Sequence, residues 1–397
     1  MKCTRNVTDH VIWVGANDRR LNLFENLFPI PRGVSYNAYL IKDEKNALMD
    51  TVDASASEQF IENVAYALNG GKLDYLVVQH MEPDHCANIQ RILELYPETK
   101  VVGNVKTMQM ISQFFDADLE GRQVVVKEGD TLELGNHTLH FVMAPMVHWP
   151  EVMVSYEDSE KILFSADAFG TFGALNGNLF NDEVDFEKDW IDDARRYFTN
   201  IVGKYGMQVQ ALLKKAAGLD IQMICPLHGP ILKENLGYYI GKYLTWSSYE
   251  PEEKGVVIAC ASIHGNTMIA AKKLAEILKA KGEKNVVLYD LARDDMPSAI
   301  ADAYRYDRLV VAAASYDGGI FPCMETFLRK LKAKNFQKRT VGYIQNGTWA
   351  PCTAKQMQAI MGELKNITNA EPVVTIKSAM KEADIAQLEA LADTLMA

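Results

Sequence analysis

The apolar run Tyr75-Leu76-Val77-Val78-Gln79 leads directly into His80-Met81-Glu82-Pro83-Asp84-His85, and this junction constrains the chain more tightly than any other feature. The run reads as a buried strand, and the segment behind it sets two imidazoles and two carboxylates in one strand-end loop. Ligands of mixed hardness on a rigidly held loop are how proteins position a cation. A polar turn can carry one Asp-His pair, so the weight rests on what accompanies it. Three more apolar runs end the same way: His148 follows the run 141–147, Asp167 the run 162–166 and His228 the run 221–227. Strand ends of one sheet converge in space. Burying that many ionisable groups is costly unless a cation compensates them. The expectation is a metal site drawn from all four strand ends.

At 397 residues the chain exceeds what one hydrophobic core usually supports, so two domains are expected. The boundary is placed at the polar, proline-containing stretch 247–254, giving domains 1–250 and 251–397. In the first, residues 11–14, 37–41 and 47–50 read as strands separated by polar turns. Phe60, Ile61, Val64 and Leu68 recur at helical spacing from Ser57, with Gly70-Gly71 able to supply a left-handed cap. Ile89, Ile92, Leu93 and Tyr96 mark a second helix stopped at Pro97, and residues 101–103 and 138–143 return to strand. This is a mixed α/β layered pattern. Behind the linker, residues 256–261 are continuously apolar, as in a parallel strand buried on both faces. A helix bearing Ala271, Leu274, Ile277 and Leu278 follows, then strand runs at 286–289, 309–313 and 340–344. Such alternation gives a doubly wound parallel sheet.

Three strand-end loops of that second sheet suit a cofactor. Ser262-Ile263-His264-Gly265-Asn266-Thr267 leads into a helix and can wrap a phosphate with backbone N–H groups at the positive end of the helix dipole. An ordinary glycine turn with a helix cap would read the same. The loops Ser315-Tyr316-Asp317-Gly318-Gly319 and Asn346-Gly347-Thr348-Trp349 tip the balance, because they add aromatic faces and open backbone at the place where such sheets bind ligands. No G-x-G-x-x-G follows any strand, which argues against a dinucleotide.

The remaining features exclude more than they assign. A formal charge of -11 argues against nucleic acid, whose phosphates require a basic face. No apolar run is long enough to span a bilayer and no signal peptide is evident, so no membrane partner and a cytoplasmic location are expected. The cysteines, Cys3, Cys86, Cys225, Cys260, Cys323 and Cys352, include no C-x-x-C pair and suggest small, mostly buried residues. His137 and His140 read as structural or surface residues, and His10 belongs to no motif. Trp149 beside His148 is either a wall against water or packing. The acidic stretch from Asp182 to Asp193 reads as a solvated face rather than a docking site.

Taken with its downstream partners, the loop resembles that of the metallo-β-lactamase superfamily, with one departure. Zinc hydrolases of that group usually show H-x-H-x-D-H, whereas Glu82 stands here at the second histidine, and an anionic oxygen favours a harder, redox-active metal. H-x-E-x-D-H is the pattern of the flavodiiron proteins. The second domain resembles flavodoxin, although Ala313-Ala314-Ser315 replaces the frequent Ser-Pro-Thr. The resemblance implies an α/β chain with a metallo-β-lactamase-like αββα sandwich followed by a flavodoxin-like doubly wound parallel sheet. It implies two iron ions, one held by His80, Glu82 and His148, the other by Asp84, His85 and His228, with Asp167 bridging, and no catalytic residues beyond these. It implies FMN in the three loops, reduction of dioxygen to water or of nitric oxide to nitrous oxide, and a head-to-tail homodimer or dimer of dimers. The C-terminal rubredoxin module of some relatives is not expected here, so a separate rubredoxin-type donor, or a reduced deazaflavin, is implied. The competing reading is a zinc hydrolase fused to an electron-carrier flavodoxin.

Overall fold

The computed structural model describes residues 2–397. They divide into two compact units, the first running to Phe198 and resuming over Met207–Leu244, the second comprising Thr199–Gly206 and Thr245–Ala397. The polar stretch 247–254 therefore lies just inside the second unit.

The first unit holds two main sheets. One contains, in chain order, β1 (Arg5–Asn6), β2 (Val11–Trp13), β3 (Tyr39–Ile41), β4 (Ala47–Met49), β5 (Tyr75–Val77), β6 (Lys100–Gly103) and β7 (Gln123–Val125). It is antiparallel from β1 to β4 and parallel from β4 to β7. The other contains β8 (Thr131–Glu133), β9 (Thr138–Met143), β10 (Met153–Glu157), β11 (Ile162–Phe164) and β12 (Met223–Cys225), antiparallel except for the β11–β12 pair. The sheets meet through side chains such as Tyr39, whose ring lies 5.5 Å from that of Phe164 and whose hydroxyl donates to the Pro226 carbonyl at 2.7 Å.

Helix α1 (Ser57–Leu68) links β4 to β5 and buries Phe60, Val64 and Leu68, the stripe its spacing predicts. Its left-handed end begins at Asn69 (φ +48°), one residue ahead of Gly70 (φ +80°), because asparagine tolerates that conformation. The segment after β5 is not all loop. Pro83–Cys86 forms a single helical turn, α2, with proline at the first helical position, where its fixed φ suits a helix and its missing N–H costs nothing. Helix α3 (Ile89–Leu95) follows.

In the second unit, β13 (Glu253–Ala261), β14 (Val286–Asp290), β15 (Tyr306–Tyr316), β16 (Arg339–Asn346) and β17 (Ile367–Asn369) form a parallel sheet in the order β14-β13-β15-β16-β17. A further short strand, β18 (Val374–Ile376), pairs with the far end of β16, so the fifth position is filled by two pieces interrupted at Pro372. Around the sheet lie α4 (Asn266–Ala280), α5 (Met296–Arg305), α6 (Pro322–Ala333), α7 (Thr353–Met361) and α8 (Glu382–Met396). Successive residues of a strand point to opposite faces. Val257, Ala259, Ala261, Leu309, Val311 and Ala313 accordingly pack with Ile300, Leu328 and Met357 of α5, α6 and α7. Val256, Ile258, Cys260, Val310 and Ala312 pack with Leu274 of α4 and Leu391 of α8. Both faces are covered, which is why the run 256–261 carries no polar alternation.

The cysteines are free, with Cys86, Cys225 and Cys260 buried. Among the described residues no helix is long and apolar enough to cross a membrane. The acidic stretch makes ion pairs through Asp182 with Lys233 (3.0 Å), Glu183 with Arg5, and Asp193 with Arg32 (2.7 Å).

Candidate metal centre and cofactor cavity

The seven ligand-type residues come together, but from two sheets rather than one. His80, Glu82, Asp84 and His85 follow β5 of the first sheet, with Asp84 and His85 on α2. His148, Asp167 and His228 follow β9, β11 and β12 of the second. The sandwich brings the outgoing ends of both sheets to one edge, which a single-sheet reading of the strand ends does not anticipate.

His80, Glu82, His148 and Asp167 form one group in which a ligand atom from each lies within 4.8 Å of the others, and Asp84, His85 and His228 form another. The Asp167 carboxylate divides between them. Its Oδ2 lies 3.3 Å from His80 Nε2 and 3.1 Å from His148 Nε2, and its Oδ1 lies 3.3 Å from His85 Nε2 and 3.6 Å from His228 Nε2. Glu82 Oε2 completes the first group at 3.3 Å from His80 Nε2 and 3.0 Å from His148 Nε2. Asp84 Oδ2 completes the second at 3.3 Å from the Nε2 atoms of His85 and His228, which are 3.0 Å apart.

All seven side chains are buried, and both oxygens of Asp84 and of Asp167 lack a hydrogen-bond partner. Four orphaned carboxylate oxygens facing converged imidazole nitrogens are a donor set built for cations, since unpaired buried carboxylates are otherwise strongly unfavourable. His228 Nδ1 donates to the Ser35 carbonyl at 2.7 Å, leaving its Nε2 as a lone-pair donor, and His80 Nδ1 bonds Glu151 Oε1 at 2.8 Å with the same result. Carboxylate and carbonyl partners of this kind orient metal-ligating imidazoles.

The electrostatics without metal point the same way. Burial acts to lower the imidazoles' proton affinity, but Asp167 and Glu82 outweigh it, so His148 is pushed up to about 9 and His80 well above the ordinary histidine value. Burial acts to raise Asp167 and Glu82, but the imidazoles outweigh it and hold both well below the usual carboxylate range. In the metal-stripped protein, protons on the imidazoles would offset the carboxylate charge. Raised imidazoles contribute stability that is complete below about pH 6.5 and is lost as pH rises through about 9. The melting temperature of metal-stripped protein is therefore expected to fall across that window, while metal-loaded protein shows no such fall because its histidines already lack the protons. Scanning calorimetry of both forms from pH 6 to about 9.5 checks this.

Several residues that the sequence does not single out support the centre. Glu151 also accepts the Met81 N–H at 2.8 Å and is wholly buried. Glu151→Gln is expected to leave the fold intact and to weaken metal binding roughly 10- to 100-fold, as loss of an orienting carboxylate does, measured by competition with a ferrous chelator. Asp50, in left-handed backbone (φ +56°), accepts from the N–H groups of Gln79 (2.7 Å) and His80 (3.3 Å), fixing the start of the ligand loop. Ala166 (φ +50°), just before Asp167, is likewise strained, as residues at functional sites often are. Tyr197 places its ring 5.4 Å from that of His228 and leaves its buried hydroxyl unpartnered. Glu25, exposed as a whole residue, approaches Glu82, and the local loss of solvent around its carboxyl together with that neighbouring charge pushes it up to about 7. None of these follows a ligand-rich motif. Glu151, three residues beyond His148, and Ala166, beside Asp167, are the ones that lie close in sequence to a ligand-type residue. Trp149 lies edge-on to His80, with ring centroids 5.5 Å apart, and so packs against the first group.

In the second unit the three predicted loops enclose a cavity of about 530 Å3. Ser262, Ile263, His264, Asn266 and Thr267 line it, with Ser315, Tyr316, Asp317 and Gly318, and with Asn346, Gly347, Thr348 and Trp349. Two predicted residues do not. Gly265 turns the first loop at φ +90°, with its N–H on Ser262 Oγ at 3.0 Å, and Gly319 pairs back onto Tyr316 in a short hairpin. Ala314, Ala350, Cys352 and Ser378 also line the cavity. Ser378 comes from a fourth strand end, after β18, where its N–H donates to Asn346 Oδ1 at 3.1 Å and its carbonyl accepts from Asn346 Nδ2 at 2.9 Å. The strand before it, Val374–Ile376, is only three residues long and leaves little trace in the sequence pattern. The cavity falls within the usual size of a cofactor site. The start of α4 faces it with Asn266 and Thr267, as anion binding at a helix N-terminus requires, and Trp349, 91% exposed, stands beside it.

Comparison with known proteins agrees with both halves. Residues 34–229 match the family described as ODP family beta lactamase. The chain is 30% identical over 351 residues to the anaerobic nitric oxide reductase flavorubredoxin of Aliivibrio fischeri, covering 87% of this chain and 70% of that protein. It is 29% identical over 377 residues to an uncharacterized protein of Methanocaldococcus jannaschii, covering 95% and 94%. The rubredoxin oxygen:oxidoreductase of Desulfovibrio gigas superposes with a TM-score of 0.92 at 28% identity, over 99% of this chain and 98% of that one. With sequence similarity spanning the sandwich and the parallel sheet, and the fold shared end to end, the chain belongs to the flavodiiron protein family of oxidoreductases.

Proposed function

We propose that this protein reduces dioxygen to water, nitric oxide to nitrous oxide, or both, at a di-iron centre in the first unit supplied with electrons by FMN in the second. His80, Glu82 and His148 would hold one iron, Asp84, His85 and His228 the other, with Asp167 offering one oxygen to each group. The observation that carries this reading is the Asp167 carboxylate, whose two oxygens face different imidazole groups in a buried, otherwise unpartnered setting. Glu82 in place of an imidazole weighs for iron over zinc, because an anionic oxygen suits the harder metal.

The bound cofactors supply redox capacity, two electrons from reduced FMN and two from the ferrous pair. The chain's own residues do the rest. Asp167 and Glu82 balance the cationic charge. Glu151 and the Ser35 carbonyl fix the imidazole orientations, and Trp149 packs against His80. The Tyr197 hydroxyl is buried and uncommitted on a ring beside His228, so it has a hydrogen bond to offer a small oxygen-bearing ligand. In the second unit, the loop 262–267 and the start of α4 hold the FMN phosphate, and the loops 315–319 and 346–349 flank the isoalloxazine. A rubredoxin-type protein is the donor, with a reduced deazaflavin as the other candidate. The working form is a head-to-tail homodimer in which one chain's FMN serves the partner's irons.

The test is anaerobic stopped-flow mixing of the reduced protein with dioxygen and with nitric oxide in separate runs, alongside metal and flavin analysis. Two irons and one FMN per chain with rapid reoxidation by at least one gas is the expected result. Two zincs, or slow reoxidation by both gases at full iron occupancy, would overturn the assignment.

A further inference from the structure

A second group of metal-ligand side chains lies at the opposite end of the first unit's strands. His10 leads into β2, Asp43 sits in the β3–β4 turn, His137 leads into β9, and Glu160 sits in the β10–β11 turn. On β9 alone, His137 precedes the strand and His148 follows it, so at about 3.3 Å per residue the two ends are separated by roughly 20 Å. Nothing at this end takes part in the chemistry proposed above.

The geometry is that of an oriented ligand set. One ligand atom from each of His10, His137 and Glu160 lies within 4.8 Å of the other two, and the imidazole centroids are 4.8 Å apart, tilted at 59°. The Asp43 side chain is 3% exposed and accepts from both the backbone N–H and Nδ1 of His137 at 2.8 Å each, with Asn136 Nδ2 on its other oxygen at 3.0 Å. That bond fixes the His137 tautomer and leaves Nε2 as the nitrogen with a free lone pair. Glu160 is positioned as closely, with Oε1 3.0 Å from His10 Nδ1 and Oε2 accepting from the Thr8 hydroxyl at 2.6 Å.

An ion pair between His10 and Glu160 accounts for one contact and leaves the second imidazole unexplained. It gives no reason for a buried carboxylate to hold His137 from behind. A carboxylate–imidazole pair presenting Nε2 beside a second imidazole and a carboxylate oxygen is the arrangement of a transition-metal site with its orienting partner. Two nitrogens and one oxygen of borderline character suit zinc, with water in the fourth position. The His10 side chain is 53% exposed, so a hydrated cation has a route in.

We propose that His10, His137 and Glu160 form a mononuclear site for a borderline divalent cation, best matched by zinc, with Asp43 orienting His137. His10 adjoins a strand of the first sheet of the sandwich, and His137 and Glu160 adjoin strands of the second. The cation pins the two sheets together at the end remote from the redox centre, so its role is structural.

The test uses the iron- and flavin-loaded protein, equilibrated by dialysis at micromolar free zinc, with zinc, iron and flavin measured together. One zinc per chain beyond an unchanged iron content is expected, together with a higher melting temperature. His10→Ala and His137→Ala should reduce the extra zinc to background. Asp43→Asn, which keeps all three ligands, should weaken binding roughly 10- to 100-fold. His10 is exposed, so its variant should fold, with unchanged iron and flavin contents as the check. No zinc above background, uptake matched by loss of iron, or undiminished uptake by His10→Ala would each overturn the proposal.

Discussion

Asp167→Asn is expected to strip both irons at once and to lower dioxygen and nitric oxide turnover at least about a hundredfold, while the flavin content stays at the wild-type level. The substitution keeps the volume of the side chain, so packing is preserved. It removes the one anion whose two oxygens face different imidazole groups, at 3.1 and 3.3 Å on one side and 3.3 and 3.6 Å on the other. Losing an orienting carboxylate behind a ligand already costs 10- to 100-fold in affinity or activity, and a shared direct ligand should cost more. Iron and flavin assays on one preparation, followed by stopped-flow, check it. Retention of both irons with full turnover would remove Asp167 from the centre and with it the bridging reading.

The converse is expected of Gly347→Val. A Cβ at Gly347 would stand 2.7 Å from Pro351 Cα and 2.8 Å from its nitrogen, backbone atoms that cannot swing aside as the end of a side chain can. The loop 346–349 must shift, and with it the cavity wall formed by Asn346, Thr348 and Trp349. Flavin occupancy should fall below about a tenth, as expected when a preformed cofactor cavity is lost, while two irons per chain remain. Donor-driven turnover should fall with the flavin. Full flavin occupancy in this variant would place the cofactor elsewhere. Together the two variants separate the units, one losing metal and keeping flavin, the other the reverse.

Much of the architecture was legible from local pattern. The unbroken apolar run 256–261 signals a strand covered on both faces, and its residues do divide alternately between two helix layers. The spacing of Phe60, Val64 and Leu68 marks the buried face of α1. The ligand-type residues were found because each follows an apolar run, a position that a chain can specify without knowing where the strand will pack. Less visible was anything that depends on a partner distant in sequence. Glu151 supports His80 across 71 positions, and Asp43 holds His137 across 94, and neither pairing leaves a local trace. His137 and His10 each read as unremarkable for that reason. Only their convergence, at turns drawn from both sheets, gives them a chemistry.

The ligand-rich loop behind β5 marks the limit of each source of information. Residue order alone determined its inventory, since composition and spacing set which donors are available, and Glu82 set their hardness. Order also determined that strands end there, because hydrophobic periodicity is a local property. The tertiary structure decided that three of the seven donors come from a second sheet, that Pro83 starts a helical turn presenting Asp84 and His85, and that Asp167 divides its oxygens between two groups. Those depend on how two sheets stack and on which strand ends share an edge. Such relations are fixed by packing between segments far apart in the chain, and no local pattern encodes them.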